Sequence, residues 1–67
     1  MTLTIAYDTG ALHMTTHDDI GSCWDALKAR FTAHRIDGYA MAGVVMFDAV
    51  RDGRIVPRRV ATYRIAL

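Results

Sequence analysis

One stretch of the sequence has helical periodicity, and it lies between stretches that alternate with a period of two. Its apolar residues are spaced four, three and four positions apart: Ile20, Trp24, Leu27 and Phe31. This spacing is typical of one amphipathic helix, which we place over about residues 17–35. A chain with a single helix among alternating segments is expected to be an α+β protein.

Both ends of this helix carry terminal signals. Thr16 followed three residues later by Asp19 resembles a capping box with Asp in place of Glu. His34 and Arg35 would place cationic side chains in the last turn, and Asp37-Gly38 would stop the helix in a left-handed conformation.

The segment before the helix predicts a β-hairpin. Residues 2–7 alternate, and Leu12 and Met14 resume the alternation after a turn-forming stretch. We expect an even loop, either Thr9-Gly10 or Asp8 to Ala11, because it keeps the large apolar side chains of both strands on one face.

The loop length decides the hairpin register. The even loop pairs Ile5 with Met14 and Tyr7 with Leu12, whereas a three-residue loop would pair Ile5 with His13.

The segment after the helix predicts a second hairpin. Residues 39–50 are rich in β-branched and aromatic residues, and Val44–Phe47 is apolar on both faces, as in a central strand. Asp52-Gly53 is a strong hairpin turn, residues 60–67 alternate again, and Pro57 indicates an edge or a bulge.

The predicted fold is therefore a single small α+β domain over residues 1–67 with the order ββαββ. One helix covers one face of a four-stranded antiparallel sheet, and the other face stays uncovered. A chain of 67 residues can build only a small core, so self-association or a partner is expected.

The third strand places apolar side chains on the uncovered face in either register of the second hairpin. A two-residue Asp52-Gly53 turn would leave uncovered Met41, Val45 and Phe47. A three-residue turn that adds Arg51 would instead leave uncovered Val44 and Met46. An exposed apolar sheet face of this kind is normally an interface, with a second copy or with another protein.

Charge is distributed unevenly along the chain. The net charge is +1, but residues 1–25 sum to −4, residues 26–47 to +2 and residues 48–67 to +3. This change from acidic to basic along the chain predicts either complementary surfaces within one protomer or a charged face for a partner. A mean hydropathy of +0.13 is too low for a membrane span.

Two observations favour the cytoplasm. Cys23 is the only cysteine, so the chain has no disulfide framework of the kind found in small secreted domains. The first residues lack the basic and apolar segments of a signal peptide.

The residues that could act in catalysis or bind a metal form no recognisable site. His13 and His17 lie on different predicted elements, Cys23 lies beside Trp24 in the helix, and capping explains Asp18-Asp19. No phosphate-binding loop or nucleophile elbow is present. We therefore expect no enzyme activity, no metal site and no cofactor.

A basic C-terminal hairpin supports an alternative function in nucleic-acid binding. Arginine binds phosphate well, and the residues available for it are Arg51, Arg54, Arg58, Arg59 and Arg64. A pI of about 8.0 and the presence of only Tyr63 for base stacking weigh against it.

The favoured prediction is a non-catalytic protein-interaction module that acts stoichiometrically as an inhibitor or adaptor, as a homodimer or with another protein. In size, lack of catalytic motifs and α+β build it resembles small inhibitors encoded by phages and mobile elements, including anti-CRISPR proteins. The predicted contact residues combine the uncovered face with basic anchors: Met41, Val45, Phe47, Arg58 and Arg64.

Overall fold

A computed structural model describes all 67 residues and contains one five-stranded antiparallel sheet with a single helix against one face. The elements are β1 (Thr2–Tyr7), β2 (Leu12–Thr16), α1 (Ile20–Arg30), β3 (Arg35–Tyr39), β4 (Ala42–Arg51) and β5 (Arg54–Ala66). Across the sheet the order is β2-β1-β5-β4-β3, so α1 connects the two edge strands. The α+β class is confirmed, whereas the prediction of four strands in the order ββαββ is wrong.

The helix begins later than predicted because Asp19, and not Thr16, is its N-cap. The Asp19 carboxylate accepts a hydrogen bond of 2.7 Å from the backbone N–H of Ser22. This hydrogen bond is the main reason why the pKa of Asp19 lies below its usual value of 3.8.

The helix also ends earlier than predicted, and the residues after it form an additional strand. Ala33 turns the chain with a φ of 59°, and β3 begins at Arg35. Within β3 only Ile36 packs against the core, so the alternation that identifies a strand is not visible in the sequence. Gly38 does not stop the helix but pairs with Gly43 of β4.

The first hairpin has the register that we did not favour. Ile5 pairs with His13, and the Tyr7 N–H donates to the Ala11 carbonyl at 2.8 Å, which leaves a three-residue loop. Gly10 closes this loop with a φ of 94°, the left-handed position of a turn followed by a bulge. The even-loop prediction was wrong because turn geometry, and not burial, sets this register.

The side chains of Leu12 and Met14 consequently lie on the face opposite to α1. Their exposed fractions are 68% and 64%. Both residues were expected beside Ile5 in the core, and both instead extend the uncovered face.

The second hairpin closes with a two-residue turn. Arg51 pairs with Arg54, and both Asp52 and Gly53 have positive φ, at 51° and 73°. Two left-handed residues in sequence make a type I′ turn, which suits the twist of a hairpin.

A β-bulge then changes the register halfway along this hairpin. Val45 pairs with Ala61, but Met46 pairs with Arg59, which leaves Val60 as the extra residue. The tip therefore has the register of the two-residue turn, while the inner half of β4 places its side chains on the faces expected for a three-residue turn. Val45 lies in the core as a result.

The core lies between α1 and the middle of the sheet. The helix contributes Cys23 and Leu27, and Phe31 follows at its end. The sheet contributes Leu3, Ile5, Val45, Ala61, Tyr63 and Ile65. Burial of a large apolar side chain contributes about 1.5–3 kcal/mol, so these residues supply most of the favourable free energy of folding.

The ring of Tyr63 lies over a place where β3 and β4 approach closely. A Cβ on Gly43 would lie 2.1 Å from the Asp37 carbonyl oxygen and 2.8 Å from the Tyr63 hydroxyl oxygen. Trp24 meets the same ring edge-on, with centroids 5.4 Å apart. The Tyr63 hydroxyl is buried without a hydrogen-bond partner, and burial raises its pKa above 10.0.

Candidate functional site

The outer half of the β4–β5 hairpin extends beyond the rest of the sheet, and we call residues 47–59 the hairpin arm. β3 pairs with β4 only as far as Met46, and β1 pairs with β5 only from Ala61 onward. The arm therefore has no neighbouring strand on either side. The molecule measures 43 × 23 × 18 Å and has a radius of gyration of 12.6 Å. A compact chain of this length would have a radius of gyration of about 11 Å, so the arm elongates the molecule.

Strand pairing assigns the arm residues to two faces. Phe47 contacts the ring of His34, with centroids 5.3 Å apart, which places Phe47 on the same side of the sheet as α1. Alternation and cross-strand pairing put the remaining residues of that face beside it: Ala49, Arg51, Arg54, Val56 and Arg58. The opposite face contains Asp48, Val50, Ile55 and Pro57.

Three arginines on the helix-side face have no carboxylate within 4.0 Å, and we call Arg51, Arg54 and Arg58 the arginine face. Arg51 pairs directly with Arg54, and like charges in that position destabilise a hairpin. The arm therefore presents positive charge that its own fold does not neutralise.

Ion pairs occur instead at the base of the arm. Arg59 lies 3.2 Å from Asp8, and Arg35 lies 3.5 Å from Asp48 and 3.3 Å from Asp37. All of these side chains are about half exposed, so each pair contributes only about 0–1 kcal/mol. They orient the arm against β1 and β3.

Large apolar side chains near the tip of the arm are also exposed. Val50 and Ile55 pair with each other, and their exposed fractions are 73% and 71%. Phe47 is 42% exposed at the base. The arm thus combines aromatic, β-branched and arginine side chains, a composition typical of binding surfaces.

The predicted contact residues do not form one surface. Val45 is completely buried, so its placement on the uncovered face was wrong. Met41 packs against the core from the β3–β4 turn, and Phe47 lies on the helix side. Arg58 and Arg64 share a parity in the sequence, but the bulge at Val60 puts them on opposite faces.

The uncovered face has a different composition from the one predicted. Its large apolar side chains come from β2 and from the alternative set of β4: Leu12, Met14, Val44 and Met46. Arg64 lies among them, paired with Thr4 on one side and Ala42 on the other.

The structure brings together three of the five arginines proposed for nucleic-acid binding. Arg51, Arg54 and Arg58 form the arginine face, whereas Arg59 is held by Asp8 and Arg64 lies in the sheet on the opposite face. The arm itself was not predicted, although β4 and β5, at 10 and 13 residues, are too long for the six-residue β1 to cover.

The other candidate residues have local structural partners. Cys23 is completely buried. His17 hydrogen-bonds the Thr15 hydroxyl at 2.7 Å, and His34 hydrogen-bonds the Thr32 carbonyl at 2.8 Å. No group of three or more potential metal-binding side chains is present, and the surface contains no pocket.

The single helix is too short and too polar to cross a membrane. Comparison with protein-family models, with curated proteins and with solved structures gives no match to this chain.

Proposed function

We propose that the protein is a small, non-catalytic, cytoplasmic interaction module that contacts another protein through the hairpin arm and acts stoichiometrically as an inhibitor or adaptor. The observation that supports it is the arm, a hairpin without a core that exposes both apolar and arginine side chains. Inhibition of the kind seen in phage and mobile-element proteins, including anti-CRISPR proteins, requires such a surface and no catalytic residue.

The energetics of the arm agree with this function. An isolated two-stranded hairpin is marginally stable in water, so the arm gains little by folding alone. Burial of Phe47, Val50 and Ile55 against a partner would remove large apolar surfaces from water, each worth about 1.5–3 kcal/mol if it became fully buried. The arginine face, which lies on the same side of the arm as Phe47 and on the other side from Val50 and Ile55, supplies hydrogen bonds to a partner that contacts both faces.

Nucleic-acid binding is the second candidate, and the arginine face supports it. A two-stranded ribbon fits the major groove of DNA, and arginine side chains bind phosphate. Arg51, Arg54 and Arg58 lie on one face of such a ribbon without ion-pair partners.

A shortened arm tests the function without disturbing the core. Deletion of residues 48–51 and 54–57 joins Phe47 to Arg58 through the existing Asp52-Gly53 turn and preserves the alternation of hydrogen-bonded pairs. The full chain and this variant are used as baits in lysate of the native host, with and without nuclease. A protein recovered in both conditions by the full chain, and lost with the shortened arm, supports the proposal.

Point variants separate the two candidates. A protein interface on the arm requires Ile55, so Ile55→Ser abolishes capture, while Arg64→Ala, outside the arm, has no effect. For nucleic acid, Arg54→Ala reduces the salt dependence of binding to duplex DNA by about one unit in the log–log slope. Capture that survives arm shortening refutes a role for the arm, and absence of DNA binding even at low salt excludes the second candidate.

A further inference from the structure

The two edges of the sheet differ in how well they are protected against pairing with another strand. β3 has the ion-paired Arg35 and Asp37 on its edge, together with Gly38 at a φ of 145°. Charges and irregular backbone are common means of blocking an edge. β2, with the sequence Leu-His-Met-Thr-Thr, contains no Asp, Glu, Lys or Arg and no proline. β2 is therefore the unprotected edge.

The outer side of β2 presents a regular row of main-chain groups. The hydrogen bonds of Tyr7 with Ala11 and of Met1 with His17 show that the odd-numbered residues of β2 face β1. The N–H and C=O groups of three even-numbered residues consequently point away from the sheet: Leu12, Met14 and Thr16. Pairing with β1 continues past both ends of β2, so this row is held in an extended conformation.

We propose that β2 is the homodimer interface, and that two copies pair antiparallel through β2 about a two-fold axis at Met14 to form a continuous ten-stranded sheet. In this register Met14 pairs with Met14 of the second copy, and Leu12 pairs with Thr16. All outward-facing N–H and C=O groups of both strands then have partners. This proposal is independent of the arm and its binding partner.

Charge and side-chain chemistry favour a second copy as the occupant. Self-pairing of an edge strand brings each residue next to an identical or symmetry-related one, so any charge in the strand risks meeting a like charge. β2 contains no such charge. The pairing also brings four exposed apolar side chains together on the uncovered face, two of Leu12 and two of Met14, which are 68% and 64% exposed in one chain.

The mass of the purified protein in solution is the first test. Light scattering at increasing concentration is expected to give a mass of twice 7.5 kDa. Met14→Lys places two ammonium groups beside the axis and weakens the dimer by more than about tenfold. The matched control is Tyr39→Lys, at an exposed residue of the opposite edge strand, which leaves the dimer intact.

Cysteine cross-linking tests the register. Cα atoms of a hydrogen-bonded antiparallel pair are about 5.5 Å apart, within reach of a disulfide. Met14→Cys therefore cross-links under mild oxidation. Leu12→Cys does not, because the two-fold axis at Met14 puts the Cα atoms of the two introduced cysteines about 14 Å apart along the strands. The native Cys23 does not interfere because it is completely buried.

Three results would overturn the proposal. The first is a monomeric mass for the wild-type protein at about 1 mM, a concentration at which even weak dimers form. The second is a dimer that persists in Met14→Lys but is lost in Tyr39→Lys. The third is equal cross-linking of the Leu12→Cys and Met14→Cys variants. The variant with the shortened arm is expected to remain dimeric, so failure of either proposal is distinguishable from failure of the other.

Discussion

The sheet body and the hairpin arm share the two long strands β4 and β5, yet they differ in side-chain burial and in the number of neighbouring strands. The sheet body consists of α1 with Phe31 at its end, β1, β2, β3 and the inner parts of β4 and β5, and it contains all nine buried residues. In the arm, residues 51–59 are all exposed. The side chains that stabilise the fold and the exposed apolar and arginine side chains of the arm therefore lie in separate parts of one sheet.

The bulge at Val60 marks the boundary between the two regions. On the inner side of it, β5 is covered by β1 and by the helix, and Ala61 is completely buried. On the outer side, β5 pairs only with β4. A substitution in the sheet body should therefore reduce stability, whereas a substitution in the arm should reduce binding.

The largest difference in stability between the two regions is expected when a glycine of each is replaced by alanine. Gly43→Ala puts a Cβ 2.1 Å from the Asp37 carbonyl oxygen, a backbone atom that cannot move without separating β3 from β4. We expect a loss of about 3 kcal/mol or more, enough to unfold most of a domain of this size. Gly53→Ala in the arm meets no atom within 4 Å and costs only about 1 kcal/mol, from its positive φ. Circular dichroism with urea titration measures both losses, and equal losses would show that the arm is as closely packed around Gly53 as the sheet body is around Gly43.

Two aliphatic residues give the next largest contrast. Leu27 of α1 is completely buried in the core, so Leu27→Ala should reduce the free energy of unfolding by about 2–5 kcal/mol. Ile55 is 71% exposed in the arm, and Ile55→Ala should change it by less than about 0.5 kcal/mol. Thermal unfolding of the two variants in parallel is the measurement. A destabilisation by Ile55→Ala as large as that by Leu27→Ala would mean that the arm has a core of its own.

Sequence reasoning predicted the parts of this fold that depend on strong local patterns. The apolar stripe from Ile20 to Phe31 located the helix, and Asp52-Gly53 located the tight turn. The missed strand β3 has a single inward apolar residue, Ile36, so no periodicity exists to reveal it.

The candidate site was less predictable because two backbone irregularities set its geometry. A bulge at Val60 reverses the faces of the residues beyond it, which separates Arg58 from Arg64 and buries Val45. A three-residue loop closed by Gly10 exposes Leu12 and Met14. Each adds one residue to a strand or loop, and one residue is enough to exchange the two faces of a strand.

Removal of the buried Tyr63 hydroxyl from the sheet body is expected to increase stability, by less than the losses described above. Tyr63→Phe removes an oxygen that has no hydrogen-bond partner and should raise the free energy of unfolding by about 1 kcal/mol. The folded-state pKa of Tyr63 lies above 10.0, so ionisation of its hydroxyl does not affect wild-type stability below pH 10 but lowers it as the pH rises further. The Phe variant has no hydroxyl to ionise and should not lose stability in this way. Tyr39→Phe, at an exposed residue, should leave the free energy of unfolding at neutral pH unchanged. An unchanged alkaline profile in Tyr63→Phe would contradict this assignment.

The smallest expected effect on the Tm comes from replacing one carboxylate in each region, Asp19 in the sheet body and Asp52 in the arm. The folded-state pKa of Asp19 lies below 3.8, so its cap stabilises the protein above that pH and is lost as the pH falls through the lowered pKa. Asp19→Ala should lower the Tm at pH 7, and the difference from wild type should shrink on acidification. Asp52→Asn at the exposed tip of the arm should change the Tm little at pH 7. A difference for Asp19→Ala that grows in acid would show that the carboxylate does not act as the cap.

Native-state hydrogen exchange, resolved by residue, tests the separation of sheet body and arm most directly. Amides of β1 and of inner β5, such as those of Ile5 and Tyr63, should exchange only by global unfolding. Amides in the hydrogen-bonded pairs of the arm, Ala49–Val56 and Arg51–Arg54, should exchange by local opening, at least about a hundredfold faster, because opening the arm exposes no buried side chain. Equal protection in the two regions would instead show that the arm and the sheet body unfold as one cooperative unit.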